Sequence, residues 1–135
     1  MTTTAPTEAD IAYYLQSKGR GTLGSTIFVN DKPTTPDALI CVFSYAGSPP
    51  DRTYDTSGNA RPNIQVWVRG AINGAGAART LAETIFNDLD GLANTDISGN
   101  RYVGIMANQS SPNHLGKDAN NRMEYSVNFS VIRAR

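Results

Sequence analysis

Neither charge is in excess in this sequence, whose 135 residues include 12 Lys and Arg, 12 Asp and Glu, and one His. Proteins that bind nucleic acid tightly carry a basic excess, so this balance argues against that class. The single cysteine, Cys41, excludes an internal disulfide and any thiolate-based zinc site. Long apolar runs are also missing, because the longest, 38–43, is far too short to cross a bilayer. The first ten residues contain neither a basic residue nor an apolar core, so we expect no signal peptide.

The length and composition are those of one small globular domain. A chain of this length is predicted to form a single domain over 1–135, and it can bury roughly two-thirds of its unfolded surface. The 12 glycines and seven prolines are near average usage, and 39% of the residues are hydrophobic. This composition excludes collagen and general disorder, but it indicates no activity.

Two segments have the apolar spacing of an amphipathic helix. The first is predicted over 8–18, where Thr7 is a suitable N-cap and Gly19 a natural stop. The second, predicted over 75–90 and closed by Gly91, has the strongest helical pattern of the chain. Its apolar positions are Ala78, Leu81, Ala82, Ile85, Phe86 and Leu89. Each helix therefore has one apolar stripe that can pack on a sheet.

Five segments have the composition of β-strands. They are 26–29, 39–45, 64–69, 101–106 and 123–131. In the third of them, one face carries Ile64, Val66 and Val68 and the other carries Gln65, Trp67 and Arg69. Because Trp67 falls on the more polar face, we expect either that an assembly covers this face or that the ring lies under the preceding loop. In the last segment, Val127 falls on the core face and Asn128 on the polar face.

The order of these elements predicts an α+β domain. We expect a sheet of four or five strands, mostly antiparallel or mixed, with two helices packed on one face and long loops between strands. The longest loops are predicted at 48–60 and 108–121, where prolines, glycines and asparagines interrupt the apolar pattern.

The chain contains no motif with recognisable chemistry. His114 lies close in sequence to Ser110, Ser111 and Asp118, but a polar loop positions a nucleophile and a base poorly. The glycines of 70–76 precede a helix, yet they match neither of the common phosphate-binding patterns, GxxxxGKS/T and GxGxxG. We therefore predict no catalytic residue, no cofactor and no metal site, and we do not expect an enzyme.

Four stretches in succession make the chain similar to a known family. They are RPNIQVWVRG, AARTLAETIFNDLDGL, RYVGIMANQSSP and LGKDANNRMEYSVNFSVI, which lie within 37–132. The most specific part is the last, where Leu115-Gly116, Asp118 and Arg122 precede the alternating strand. In these features the chain resembles the minor capsid or tail terminator proteins, which are small neck proteins of long-tailed phages.

The resemblance implies a structural virion protein that is assembled in the reducing host cytoplasm without disulfides. Such a protein forms a ring, usually a hexamer, that caps the tail tube and joins it to the head connector. The implied partners are further copies of the chain, the tail tube protein and the connector protein, and no membrane. Genome DNA is expected to pass through the lumen without specific binding, because a neutral channel does not hold the phosphates.

Two other interpretations of the sequence stay open. One is another structural neck or tail component, such as a head completion protein or a tail tube subunit. The other is a small enzyme or a ligand-binding module, for which a closed pocket or an activity that depends on His114 would be the evidence.

A ring needs head-to-tail contacts between two different patches of the subunit, so we predict a heterologous, closing interface. The loop 48–60 is longer than a hairpin connection requires, and we expect it to reach along the ring axis or onto a neighbour. The candidate assembly contacts are Arg52, Tyr54, Trp67, Arg69 and Arg122.

Overall fold

The computed structural model describes residues 6–49 and 58–134, which contain two helices and seven strands. The helices are α1 (Thr7–Ser17) and α2 (Ala75–Leu89). The strands are β1 (Ile27–Val29), β2 (Leu39–Ser48), β3 (Asn59–Ile72), β4 (Leu92–Ile97), β5 (Asn100–Ala107), β6 (Asn113–Lys117) and β7 (Arg122–Ala134).

The seven strands join one mixed sheet in which β7 has a central position. The strand order is β1-β2-β3-β7-β5-β4, and β6 also pairs with β7. β1 and β2 are parallel, whereas the other pairs are antiparallel. One edge of β7 pairs with β3, while its other edge pairs with β6 near the start of β7 and with β5 near its end. The predicted α+β class and the mixed sheet are therefore confirmed.

The strand count of four or five was too low, because the sequence pattern does not predict β4 and β6. These strands have the sequences LANTDI and NHLGK, contain few apolar residues and are largely exposed. Backbone pairing with β5 and β7 holds them in place, rather than an alternating apolar face. Since β6 lies within the loop predicted at 108–121, that loop is interrupted by a strand.

The core lies between one face of the sheet and the two helices. Ile64, Val66 and Val68 point inwards from β3 and are fully buried, as predicted. On β7, Val127 is fully buried and Asn128 is half-buried, which confirms the predicted phase of this strand. Both helices add residues to the same cluster, namely Ile11, Ala12, Leu15, Ala78, Ala82, Ile85 and Leu89.

Each helix forms within one residue of its predicted ends, but α1 is not capped as expected. Thr7 is the first helical residue instead of the N-cap, and Pro6 precedes it without a side-chain cap. The Thr7 hydroxyl accepts a hydrogen bond of 2.8 Å from Nη1 of Arg133, so it joins the helix to the end of β7. Gly91 follows α2 with a φ of +84°, a left-handed conformation that favours glycine.

A buried polar contact joins α1 to β5. The carboxylate of Asp10 is 1% exposed and accepts hydrogen bonds from the Tyr102 hydroxyl and from Nδ2 of Asn100. Burial, and then the hydrogen bond to Asp10, raise the pKa of Tyr102 far above its ordinary value. The Tyr102 hydroxyl therefore stays protonated and donates a hydrogen bond to Asp10. A buried carboxylate needs such a donor.

β2 and β3 form an antiparallel hairpin that is longer than predicted. β2 continues to Ser48 and β3 begins at Asn59, so both ends of the loop predicted at 48–60 belong to strands. The connection between the strands is therefore 49–58. Arg52 and Tyr54 lie within it, outside the described residues.

Candidate assembly surface

The outer face of the sheet, which points away from the helices, carries the segment 30–37 between β1 and β2. We call this segment the clamped loop. Trp67 and Arg69 point to the outer face because they alternate with the buried residues of β3. Arg122 begins β7 at the same end of the sheet. The fold thus brings three of the candidate contacts to one place.

Arg69 holds the clamped loop by its backbone. This residue is 3% exposed, and its Nε and Nη2 lie 2.8 to 3.1 Å from four carbonyl oxygens, three of which share the two N–H groups of Nη2. The acceptors belong to Pro33, Thr34, Pro36 and Asp37. A guanidinium presents five N–H donors in a fixed plane, which suits several converging carbonyls. Burial, and then the nearby charge of Arg122, lower the pKa of Arg69 from its ordinary value.

Arg122 holds the same loop from β7 and is 4% exposed. Its Nη1 donates to the Thr34 carbonyl oxygen at 2.6 Å and to Oδ1 of Asp37 at 3.2 Å. Its Nε donates to Oδ2 of Asp118 at 2.8 Å. Because Asp118 lies between β6 and β7, Arg122 connects that turn to the clamped loop.

Asp118 organises the turn that leads into β7. Its Oδ1 accepts hydrogen bonds from the backbone N–H groups of Asn120 and Arg122, at 2.9 and 3.0 Å. Burial acts to raise the pKa of Asp118, but the hydrogen bonds from the Arg122 side chain and from these N–H groups outweigh it and lower the pKa to about 2. The carboxylate is therefore ionised throughout the neutral pH range.

The indole of Trp67 lies beneath the clamped loop and is half-buried. Nζ of Lys32 is 3.9 Å from the ring centroid, which is a cation–π contact, and 2.8 Å from Oε1 of Glu124. Lys32 of the clamped loop therefore lies against the ring, and coverage of this face by an assembly stays a prediction. The covering loop is 30–37, however, and not the loop that precedes β3.

Trp67, Arg69 and Arg122 thus support the clamped loop from below. The two arginines are so deeply buried that they offer little side-chain surface to a partner. That Trp67, Arg69 and Arg122 are assembly contacts stays a prediction. The same holds for Arg52 and Tyr54, which lie outside the described residues.

Sequence patterns do not predict Lys32 and Glu124 as members of this surface. Glu124 reaches it because the pairing of β3 with β7 sets this residue opposite Arg69. Such a register follows from the tertiary fold, and alternation within a single strand does not reveal it.

A groove of about 270 Å³ lies at the other end of the outer face. It is lined from β3, β7 and β5 by Arg61, Asn63, Ser130, Ile132, Val103 and Met106. Met106 is 59% exposed and Val103 is 37% exposed, so the groove presents apolar surface to solvent. Its volume is close to the lower end of the roughly 300–1,000 Å³ of small-molecule sites.

Uncharged polar side chains occupy the outer face between the clamped loop and the groove. The Tyr45 hydroxyl donates to Oδ1 of Asn128 at 3.0 Å, and Nδ2 of Asn128 donates to Oε1 of Gln109 at 3.2 Å. The Ser130 hydroxyl donates to Oδ1 of Asn108 at 2.7 Å. This part of the face can therefore form hydrogen bonds without offering a charge.

His114 lies on β6 and not in a loop. Its ring meets the Tyr125 ring edge-on, with centroids 5.5 Å apart, and its Nε2 is 3.0 Å from Sδ of Met123. These contacts give the imidazole a packing role. In 6–49 and 58–134, no three His, Cys, Asp or Glu side chains are grouped as metal ligands. Neither of the described helices has the length and apolarity to cross a membrane.

Both the sequence and the fold have relatives. The model of a family described as "Bacteriophage tail terminator protein" matches residues 14–135. Among curated proteins, no sequence matches the chain. Among solved structures, a chain from the virion of a native gene transfer agent (GTA) particle is similar, with a TM-score of 0.68 and 14% identity. The match covers 96% of this chain and 95% of that chain, and at this identity it shows a shared fold.

Proposed function

Since the chain belongs to the bacteriophage tail terminator family, we propose that it forms a closed hexameric ring that caps the tail tube and joins it to the head connector. Membership makes it a structural protein of the phage tail, with its place in the virion. The observation that carries the proposal is the family match, which extends over 14–135 and so includes nearly all of the described fold.

The geometry of the outer face supports a ring. A closed ring uses two different patches on each subunit, so that the front of one copy meets the back of the next. The clamped loop near Arg69 and the groove near Asn63 lie at opposite ends of β3. Arg69 lies six positions after Asn63, which is about 20 Å along an extended strand. Two distinct patches are therefore available on one small domain.

The charge balance supports passage of genome DNA through the ring without specific binding. Basic side chains hold DNA through its phosphates, and 12 basic residues are here matched by 12 acidic ones. The uncharged side chains between the clamped loop and the groove add no positive charge. A neutral lumen allows the genome to slide.

Assembly in the reducing host cytoplasm is supported by the state of the single cysteine. Cys41 is fully buried in β2, and burial raises the pKa of its thiol to about 11. A buried protonated thiol is a poor nucleophile, so it neither forms nor exchanges disulfides readily. The subunit therefore does not depend on an oxidising compartment for its fold.

Electron microscopy of particles with and without this protein tests the proposal. With the protein, we expect one closed ring of six copies at the head-proximal end of the tail, in contact with the tail tube protein and the connector protein. Without it, heads and tails should remain separate.

Three results would overturn the proposal. Copies repeated along the tail would identify a tube subunit, and one copy per particle would exclude a ring. A ring bound only to heads that have not met tails would identify a head completion protein.

A further inference from the structure

We propose that the sheet continues from one copy of this chain to the next, because β4 of one subunit pairs in parallel with the free edge of β2 of its neighbour. The free edge of β2 is the part of that strand beyond β1, 43–48. The inference rests on the proposed ring and assigns one of the contacts that close it. The partner at this edge is a second copy of the chain.

β1 covers only the first part of one edge of β2. Its three residues pair with Ile40, Cys41 and Val42, and the chain turns away at Asn30, where φ is +55°. The Asn30 N–H still donates to the Val42 carbonyl oxygen at 2.9 Å. In 6–49 and 58–134, no strand pairs with this edge after Val42. Ser44 is the next residue to present its N–H and C=O there, because backbone groups alternate between the two edges of a strand.

The free edge of β2 lacks the charged side chains and prolines that proteins commonly place on an exposed strand. Its sequence is FSYAGS, and Ser44 and Tyr45 are exposed. The register with β3 is regular up to Tyr45 and shifts before Ser48. An uncharged edge of this kind is a template for another strand, and its main-chain groups would form the contact.

β4 offers an edge on the opposite side of the same end of the sheet. It is the last strand in the order and uses its other edge to pair with β5. A row of paired residues starts at Ser44 and runs through Ile64, Phe129 and Ala107. β4 begins opposite Ile105, only two residues from this row. The two edges therefore lie at nearly the same level of the sheet.

The directions of the two strands suit a ring. From β2 through β3, β7 and β5 to β4, each strand is antiparallel to the next, so β2 and β4 run the same way. A rotation about an axis that follows the strands changes neither their direction nor their level. It brings β4 of one copy beside β2 of the next as a parallel neighbour, as β1 already is further along the same edge. The two edges are different patches, which a head-to-tail ring requires.

The edges at the opposite end of the sheet do not offer such a pair. A row of paired residues there joins Asn113 of β6 to Phe28 of β1. The outer edge of β1 is occupied by its own chain, because the Ile27 N–H donates to the Thr22 carbonyl oxygen at 3.0 Å. The Ile27 carbonyl oxygen accepts from the Gly24 N–H at 2.9 Å. At its own level, β6 therefore meets no open edge on a neighbouring copy.

Disulfide trapping in assembled particles tests the pairing of β4 with β2. Ser44→Cys is combined with Ala93→Cys or with Thr95→Cys, so that two registers are sampled. The particles are purified, oxidised and separated on a non-reducing gel, and we expect a ladder of linked subunits up to the closed ring from at least one of the two variants. Four strand spacings, about 19 Å, separate β2 from β4 within one subunit, which is too far for a disulfide. Each link therefore joins two copies, and Cys41 does not compete because it is fully buried.

The matched control is Ser44→Cys/Leu115→Cys. Leu115 is 40% exposed on β6, so its thiol is accessible but should give no ladder. A ladder from this control would assign the free edge of β2 to β6 and overturn the proposal.

The remaining outcomes separate this contact from the ring itself. Absence of links from both test variants, in particles that still carry the ring, would overturn the pairing and leave the proposed function intact. Wild-type particles without a ring would overturn both. If the double variants do not enter particles, Ser44→Cys protein is mixed with Ala93→Cys or Thr95→Cys protein and added to tails that lack the protein. A linked dimer on those tails supports the pairing, and its absence refutes it.

Discussion

Arg69 and Arg122 donate hydrogen bonds to the same atom, the carbonyl oxygen of Thr34, at 3.1 and 2.6 Å. Two guanidinium groups of like charge come this close because β3 and β7 are neighbours in the sheet. The carboxylates of Asp37 and Asp118 offset the charge of Arg122, at 3.2 and 2.8 Å. The conformation of the clamped loop therefore depends on both strands at once.

Replacement of Arg69 is expected to loosen the clamped loop and to destabilise the fold. Arg69→Ala leaves the carbonyl oxygens of three residues, Pro33, Pro36 and Asp37, without this donor, which we expect to lower the free energy of unfolding by about 2–4 kcal/mol. The Thr34 carbonyl oxygen keeps its hydrogen bond from Arg122. Arg69→Lys should recover little of this loss, because a single ammonium cannot reproduce a planar fork of donors. The denaturant midpoint measures both variants.

Arg101→Ala is the matched control for Arg69. The Arg101 side chain is 49% exposed and pairs with Asp96 at 3.3 Å on the surface, so its loss should change the free energy of unfolding by about 0.5 kcal/mol or less. Equal destabilisation by Arg69→Ala and Arg101→Ala would show that the clamped loop does not depend on Arg69.

Asp118 is expected to contribute to stability in a defined pH window. Its pKa falls from an ordinary value of 3.8 to about 2 in the fold, so the folded state prefers the ionised form. The contribution should be fully present above about pH 4 and should disappear as the pH falls through about 2. Melting temperatures of the wild type and Asp118→Asn should therefore differ at pH 7 and converge towards pH 2. A difference that stays constant across this range would contradict the assigned pKa.

The sequence predicts those helices and strands in which apolar residues mark the positions that face the core. Ile64, Val66 and Val68 reveal the inner face of β3 by simple alternation, and the apolar spacing of α2 reveals that helix within one residue. In both cases the spacing of apolar residues within one short segment is enough to predict the element, because each of these side chains packs in the core.

The outer face could not be predicted in the same way. The importance of Arg69 depends on carbonyl oxygens more than 30 residues away, and that of Glu124 depends on the register between β3 and β7. β6 has little apolar surface and forms because β7 offers free backbone groups at that edge. Such features arise from tertiary pairing, so no local pattern records them.

The phase of β7 predicts different costs for two neighbouring substitutions. Val127→Asp buries an unpaired carboxylate in the core and is expected to lower the free energy of unfolding by about 4 kcal/mol or more. Asn128→Asp keeps the side chain on the half-buried outer face beside Tyr45, and should cost about 1 kcal/mol or less. Denaturant midpoints of the two variants should differ clearly, and equal losses would show that both faces are covered alike.

Removal of the hairpin tip should separate folding from assembly. When 49–58 is replaced by Asn-Gly, four residues connect Ser48 to Arg61, the last pair between β2 and β3, and this length is common in hairpins. Loop-closure entropy changes by only about 0.6 kcal/mol for each doubling of length, so the melting temperature should remain nearly unchanged. The same variant should fail to join heads to tails, because it has lost the candidate contacts Arg52 and Tyr54. A ten-residue Gly/Ser connection that retains Arg52 and Tyr54 is the control, and it should restore joining. Infectious particles that contain only the Asn-Gly variant would show that the tip makes no essential contact.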